Sequence, residues 1–454
     1  MMQPGANLAP RRSGAPRRAI LGCVLLLADV LASAAETDFD PNRGIDDDGR
    51  IAAVEKPLDL PNPERWRYIP EGRIKPGNVL DRLLVSSFVA PFFFHDSDIG
   101  VGGGLALTDI DFRELRRQEF AGVFASYSTR GQQQYSLLWR RWLEHLEVPG
   151  GGVMLEERSV VTGDAGYSKT LTRRFFGFGD TSPKSAETSY TDDRRWLGLE
   201  LERSLPGPGD DWVVTLGARG EWHDLSHGQV HDRPSTGERF PQVFDDAQDT
   251  PIGWMVAGIR WDTRDSQAVP YHGAVLAARV DVAPLQRDGD VGAVSELRAM
   301  QFFTVPPLAH GGGSGDEENP PTDTLAASLS LDIASGDLPF YELPSLGGAD
   351  GERGFVEGRF RDRTAWLGVV EYRPVLVPRG VRVTDMIRIE RFAGALFYEL
   401  GTVERTPERL VEAQVHHTFG FGVRVMLERN ALFRFDWGFS NEGSNFTARY
   451  GLSF

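Results

Sequence analysis

The C-terminal end of the chain alternates between apolar and polar residues with a period of two. In residues 446–454 the even positions are Phe, Ala, Tyr, Leu and Phe, whereas the odd positions are Thr, Arg, Gly and Ser. In residues 433–440 the odd positions are three Phe and one Trp, and the even positions are Arg, Asp, Gly and Ser. Such a period places alternate side chains on opposite faces of a β-strand. A face with this many aromatic side chains is typical of a membrane strand, whose outer side meets lipid.

Similar alternating runs, separated by turn residues, recur from about residue 83 to the C-terminus. Many have the length of about 9–11 residues that crosses a bilayer as a tilted strand. The predicted strands are 86–94, 99–110, 119–128, 133–144, 152–161, 194–204, 212–223, 253–263, 273–283, 295–305, 324–334, 364–375, 388–400, 418–428, 431–440 and 446–454. The fold class is therefore predicted as all-β, a closed antiparallel transmembrane β-barrel of about 16 strands. A count of 14 stays open, because the first five segments and 295–305 alternate less cleanly.

The polar faces and the connections support this prediction. The polar face of segment 273–283 carries Arg279 and Asp281, which indicates a hydrated lumen containing ion pairs. If both termini face the periplasm, the external connections are the longer ones, as in bacterial barrels. The predicted external connections include 162–193, 224–252 and 335–363, whereas the long internal connection 306–323 departs from the rule.

Composition argues against a helical membrane protein and against a nucleic-acid-binding protein. The mean hydropathy is −0.30 and no run of about 18 apolar residues occurs, so no membrane-spanning helix is predicted. The formal net charge of −16 disfavours binding to nucleic acid, which requires a basic surface.

The N-terminal part divides into two segments ahead of the predicted barrel at 83–454. Residues 1–34 read as a secretory signal peptide, with four arginines, an apolar stretch over 19–31 and the cleavage site Ala32-Ser33-Ala34. An uncleaved anchor is disfavoured because the apolar stretch is short and contains Asp29. Residues 35–82 are rich in Pro, Asp and Arg without a period, and are predicted to be a mostly irregular periplasmic tether. These features predict the outer membrane of a Gram-negative bacterium.

Several motifs in a fixed order narrow the class of barrel. They are Gly347-Gly348-Ala349-Asp350-Gly351-Glu352-Arg353-Gly354-Phe355, Trp366-Leu367-Gly368-Val369-Val370-Glu371-Tyr372-Arg373, Trp261-Asp262-Thr263-Arg264-Asp265, Pro270-Tyr271-His272-Gly273, Phe419-Gly420-Phe421-Gly422-Val423-Arg424, Arg174-Phe175-Phe176-Gly177-Phe178-Gly179-Asp180 and the terminal Phe454. Over residues 85–454 the sequence resembles the BamA/TamA outer-membrane assembly-factor superfamily, the bacterial surface antigen barrels. It is similar to a standalone member without POTRA modules.

The resemblance implies a role for the sixth external loop. In the family this loop folds into the lumen, and its tip would here be Arg353, Gly354 and Phe355. Asp436 and Glu371 lie on polar strand faces and are the expected partners of Arg353, because a buried guanidinium requires a carboxylate. An ordinary solvated loop arginine is the alternative.

Two further sequence features bear on the loop tip and on barrel assembly. Glu352 replaces the Val usual in the family and could compete for Arg353. The C-terminal strand supplies an assembly signal, Tyr450, Leu452 and Phe454.

No local pattern predicts catalysis, a cofactor or a metal site. The sequence has no Gly-x-Ser-x-Gly elbow. His416-His417 and His95-Asp96-Ser97-Asp98 lack partners at ligand spacing. We therefore expect no enzyme, no cofactor and no metal.

The leading functional hypothesis is a monomeric barrel that aids the insertion or translocation of other proteins, as the resemblance implies. A passive channel for small solutes, or a structural outer-membrane protein, is the alternative, and an outer-membrane hydrolase is a weaker third. The expected partners are outer-membrane lipid, the barrel assembly machinery during biogenesis and client proteins, and no nucleic acid.

Overall fold

The computed structural model describes residues 40, 42–74, 88–108, 111, 113–382, 388–428 and 431–450. The predicted signal peptide at 1–34 lies outside these ranges, as do Leu452 and Phe454. Among the described residues, no helix is both long enough and apolar enough to cross a membrane.

Most of the described chain is β-strand. The strands are β1 (Trp66–Ile69), β2 (Phe88–Asp96), β3 (Gly100–Thr108), β4 (Glu119–Ser128), β5 (Gln133–Trp142), β6 (His145–Glu147), β7 (Val153–Glu156), β8 (Val160–Phe175), β9 (Thr188–Leu205), β10 (Trp212–His227), β11 (Thr250–Asp262), β12 (Gly273–Gln286), β13 (Gly292–Val305), β14 (Asp323–Gly336), β15 (Ser345–Leu346), β16 (Phe360–Arg361), β17 (Thr364–Arg373), β18 (Val375–Val377), β19 (Val381–Arg382), β20 (Arg388–Ile389), β21 (Arg391–Glu404), β22 (His416–Glu428), β23 (Ala431–Ser440) and β24 (Gly443–Tyr450).

The helices are short and lie in the connections. Two α-helical segments, Thr236–Arg239 and Pro241–Asp246, follow β10, and a capping box formed by Ser235 and Glu238 starts the first of them. The 3₁₀ turns are Pro63–Arg65, Glu71–Arg73, Lys184–Ala186, Arg287–Gly289, Phe340–Glu342 and Pro407–Val411.

One large antiparallel sheet contains the long strands. Strands that follow each other in the chain pair directly, from β2 through β3, β4, β5, β8, β9, β10, β11, β12, β13, β14, β17, β21, β22 and β23 to β24. Three small sheets lie beside it: β1 with β7 and β6, β15 with β16, and β19 with β20. The predicted all-β, antiparallel class is confirmed.

The two faces of the large sheet have the opposite exposure from those of a soluble protein. In β10, Leu216 and Trp222 are 61% and 52% exposed, whereas Thr215 and Glu221 are buried. The same holds in β23, where Phe435 and Trp437 are exposed while Asp436 is buried. The alternation in the sequence thus sets one apolar, exposed face and one polar, buried face.

Most predicted strands overlap observed ones, and 119–128 coincides with β4. The prediction was wrong for 152–161 and for the connection 162–193. Residues 153–156 form β7 in a small sheet, and β8 and β9 extend through most of the predicted connection 162–193. These extensions have few large apolar residues, and it is the pairing of Thr162↔Glu200 to Phe175↔Thr188 that keeps them extended.

The described part of the segment predicted as a tether, 42–74, packs against turns at one end of the sheet. Its strand β1 pairs with β7, and Trp66 and Ile69 are buried there. Charged contacts attach the segment further, among them Arg73 Nη2 to Glu390 Oε1 at 3.1 Å.

Candidate functional site

The connection 337–363, between β14 and β17, carries the predicted Arg353 tip. Its base is a small hairpin in which Ser345 pairs with Arg361. Gly347 and Gly348 have φ angles of 105° and 95°, which residues with a side chain rarely adopt, so these glycines permit the turn. The turn closes with hydrogen bonds from Gly347 N to Gly351 O and from Phe355 N to Glu352 O.

The structure buries Arg353 completely and surrounds it with three carboxylates. Its Nε lies 2.7 Å from Glu399 Oε1, and its backbone N–H donates to Glu399 Oε2 at 2.6 Å. Its Nη1 lies 2.8 Å from Glu371 Oε2 and 3.3 Å from Asp436 Oδ2. The guanidinium carbon stands 3.4 Å from the centroid of the Phe397 ring. Both carboxylates expected from the sequence are thus in contact with Arg353, together with a third, that of Glu399, which was not predicted.

Two further arginines and a threonine contact these carboxylates. Arg373 Nε lies 2.8 Å from Glu371 Oε1, and Arg424 Nη1 lies 2.7 Å from Asp436 Oδ1. Thr418 Oγ1 donates to Glu399 Oε2 at 2.7 Å. Burying several charges is costly unless each is paired and hydrogen-bonded, and this network supplies those pairs. We call Arg353, Glu371, Glu399, Asp436, Arg373 and Arg424 the arginine cluster.

Gly354 and Phe355 bring the tip against the last strands. A Cβ at Gly354 would lie 2.6 Å from the backbone carbon of Phe439, so only glycine fits at this approach. Phe355 is buried among Leu346, Phe360, Ala365 and Val403. Asn445 Nδ2, on β24, donates to the carbonyl oxygens of Arg353 and Phe355 at 3.2 and 3.0 Å.

Glu352 is buried next to this tip and has a φ of +53°. Burial, and after it the neighbouring Glu399, raises the pKa of the Glu352 carboxyl to about 9. A neutral carboxylic acid is therefore expected at this position. Within the described ranges the ion pairs of Arg353 go to Glu371, Glu399 and Asp436 and not to Glu352.

Other residues of the connection contact β8, the segment that follows β8, and the turn between β23 and β24. Arg359 Nη2 lies 2.7 Å from Glu442 Oε1 and 2.8 Å from the carbonyl oxygen of Ser182, and its guanidinium stacks on Phe176. Arg173 on β8 forms an ion pair with Glu357. The connection is therefore held between β8 on one side and β17 to β24 on the other.

Two other motifs of the sequence contribute buried polar residues. Asp262 is fully buried, and its Oδ2 accepts from Arg264 Nη2 at 2.7 Å. Asp180 accepts from the backbone N–H of Gln414, and His416, set aside above as a metal ligand, hydrogen-bonds to the Asp180 carbonyl oxygen at 2.9 Å. His416 also stacks on Phe360 of the connection.

Alternation along the strands is the sequence signal for the cluster residues that were not predicted. Glu399 and Phe397 lie in predicted segment 388–400, on the opposite face from Leu396 and Tyr398, which are exposed. Arg424 on β22 obeys the same alternation, since it is buried while its neighbour Val423 is exposed. The backbone of Tyr450 belongs to β24, whereas the rest of the predicted assembly signal, Leu452 and Phe454, lies outside the described residues.

Sequence comparisons give limited matches. No family model matches the sequence. Two curated proteins, both named probable beta-glucosidase J, from two strains of Aspergillus fumigatus, are 33% identical over 127 residues, which is 26% of this chain. The chain spans 14% of the length of these relatives.

Two solved structures resemble the fold. The structure of BamA from Haemophilus ducreyi lacking POTRA domains 1–3 has a TM-score of 0.46 at 12% identity, over 81% of this chain and 70% of that one. CdiB from Acinetobacter baumannii has a TM-score of 0.42 at 11% identity, over 82% of this chain and 67% of that one.

Proposed function

We propose that this chain is an outer-membrane β-barrel of the BamA/TamA type that aids the insertion or translocation of other proteins. The sheet would close into a barrel of roughly sixteen strands, with the 337–363 connection inside it. The observation that carries the proposal is the fully buried arginine cluster, in which a connection, and not a strand, supplies the central cation.

Closure of the sheet is supported by the contacts of the connection. Glu357 meets Arg173 on β8, while Arg353 meets Asp436 on β23, and these strands are far apart in the order of the sheet. A flat sheet could not contact one short connection at both places. A membrane location is supported by the exposed apolar rows, since large apolar patches on a protein surface mark contact with lipid or with another protein.

The arginine cluster would hold the connection against the last strands of the sheet. It joins the connection to β17, β21 and β23, and Asn445 adds β24. The last strands would therefore stay in place while the edge at β24 opens and closes against β2. We propose a monomer, assembled by the barrel assembly machinery through Tyr450, Leu452 and Phe454, without catalytic chemistry.

Gene depletion tests the assembly role. In the source bacterium, depletion of the chain should lower the amount of other folded outer-membrane proteins, and a plasmid copy should restore them. A plasmid copy with Arg353→Ala should restore less, at equal abundance of the chain itself. Unchanged levels of all other outer-membrane proteins after depletion would reject this function.

A passive channel for small solutes is the second candidate. The polar inner face supports it, because a cavity of about 440 Å³ between the connection and the strands is lined by charges of both signs, such as Arg194 and Glu221. In a planar bilayer, a large and steady conductance that Arg353→Ala hardly changes would favour the channel. Absence of conductance together with loss of other barrels on depletion would favour the assembly role.

A further inference from the structure

A second cluster of polar side chains lies away from the arginine cluster, at the 440 Å³ cavity. Ligand atoms of Glu221, His223 and Glu342 all lie within 4.8 Å of one another. Glu221 and His223 belong to β10 and are buried, and Glu342 belongs to the 337–363 connection. The sequence does not predict this set, because Glu342 follows His223 by more than a hundred residues and only the fold brings the two together.

The imidazole of His223 is oriented as in metal sites. Its Nδ1 lies 2.9 Å from Asp192 Oδ1, so a carboxylate fixes the ring and its tautomer. Its Nε2 faces two carboxylate oxygens, Glu221 Oε2 at 3.4 Å and Glu342 Oε1 at 3.6 Å. Two ligand atoms bound tetrahedrally at about 2.0–2.1 Å stand roughly 3.4 Å apart. The two distances from His223 Nε2 are therefore close to those between corners of such a site, and the two carboxylate oxygens lie within 4.8 Å of each other.

The surroundings hold these side chains in place. Arg194 Nη2 and Arg219 Nε bind the other oxygen of Glu221, Oε1, at 2.6 and 2.7 Å, which turns Oε2 towards His223. The ring of Tyr341 stacks on the imidazole with centroids 4.4 Å apart. One imidazole is thus contacted by three carboxylates, that of Asp192 at Nδ1 and those of Glu221 and Glu342 at Nε2, in a site that opens to a cavity.

We propose that Glu221, His223 and Glu342 bind a divalent first-row transition metal of the Zn²⁺ class. One imidazole nitrogen and two carboxylates suit Zn²⁺, and the cavity leaves room for a water molecule as the fourth ligand. Because the ligands come from β10 and from the 337–363 connection, the metal joins the two. The metal site is thus a second attachment of the connection to the strands, away from the arginine cluster. This inference is independent of the proposed role in assembly.

The test measures metal binding by the full chain purified in detergent, after removal of any affinity tag. Titration with Zn²⁺ should give one site per chain, and Co²⁺ should give the absorption bands of a four-coordinate site. His223→Gln and Glu342→Gln should each weaken Zn²⁺ binding at least tenfold. His227→Gln, an exposed histidine on the same strand, is the matched control and should bind as the wild type.

Heat stability separates the proposed site from a purely structural cluster. Zn²⁺ should raise the unfolding temperature of the wild type and of His227→Gln, and should leave that of Glu342→Gln unchanged. Absence of a stoichiometric site in the wild type would overturn the proposal. Equal Zn²⁺ affinity in folded wild type and folded His223→Gln would also overturn it, because the cluster would then hold an imidazolium among carboxylates and no metal.

Discussion

The guanidinium of Arg353 lies over the ring of Phe397, with 3.4 Å between its central carbon and the ring centroid. Phe397 and Glu399 are two residues apart on β21 and therefore share a face. One side of the guanidinium thus rests on an aromatic face while its edge meets carboxylates. A planar cation fits this arrangement better than a lysine ammonium, because it stacks and donates in several directions at once.

Loss of either member of the central ion pair should lower stability. Arg353→Ala leaves Glu371, Glu399 and Asp436 buried with one cation fewer, and Asp436→Ala leaves Arg353 and Arg424 short of a carboxylate. Removing one partner of a buried pair costs about 3–5 kcal/mol of unfolding free energy. The temperature at which the purified barrel loses its heat-modifiable mobility on a gel should fall for both variants. In the double variant this temperature should fall by less than the sum of the two single effects. The reason is that Arg353 Nη1 and Asp436 Oδ2 lie 3.3 Å apart and interact directly.

The matched control for this prediction is Arg353→Lys. Lysine keeps the charge but loses the fork that reaches Glu399 and Glu371 together, so it should restore only part of the stability. Strict additivity of Arg353→Ala and Asp436→Ala would mean that the two side chains do not interact.

A side chain at Gly438 should prevent docking of the tip. A Cβ there would lie 2.4 Å from the backbone carbon of Arg353, and backbone cannot move aside as a flexible side chain can. Gly438→Leu should therefore expose the connection to protease, measured as cleavage near residue 353 in the otherwise folded barrel. Gly122→Ala is the control on β4, where the nearest atom to a new Cβ stands at 3.7 Å. Equal protection of both variants would contradict the close approach.

A charge on the outer face should be costly if that face meets lipid. Leu216 is 61% exposed, so in water Leu216→Arg would change the unfolding free energy by roughly 0.5 kcal/mol or less. In a bilayer the same change costs about 2–4 kcal/mol near the midplane. Urea unfolding in lipid vesicles measures the difference, and Leu58→Arg, at a fully exposed site outside the strands, is the control. Identical small effects at both sites would argue against a membrane face.

Stability should fall with rising pH through the titration of Glu352. Burial, and after it Glu399, raises the pKa of this carboxyl from 4.5 to about 9, so the folded state holds a proton that the unfolded state releases. The stabilising contribution is complete below about pH 4.5 and is lost as the pH rises through about 9. Unfolding temperatures from pH 5 to pH 10 should decline in the wild type and decline less in Glu352→Gln. If the unfolding temperature declines equally with pH in both proteins, groups other than Glu352 cause the pH dependence.

Some of the site could be read from the sequence because alternation assigns faces without any tertiary information. Asp436 and Glu371 were predicted on polar faces, and both lie against Arg353. Glu399 was missed even though it obeys the same alternation, because a period does not tell which polar residue lies opposite a loop. That pairing depends on the register Glu371↔Phe397 and Gly422↔Asp436, which hydrogen bonds between strands set.

The sequence by itself determined an all-β chain with an apolar face, a polar face and an arginine-bearing connection, because a period of two and glycine-rich turns are local properties of the chain. Only the tertiary structure decided that β8 and β9 continue into the predicted connection 162–193, since pairing keeps a strand extended even without an apolar pattern. Only the tertiary structure brought Glu342 to His223 and Glu399 to Arg353. Contacts of that kind join segments distant in sequence, and their partners are chosen by packing in three dimensions.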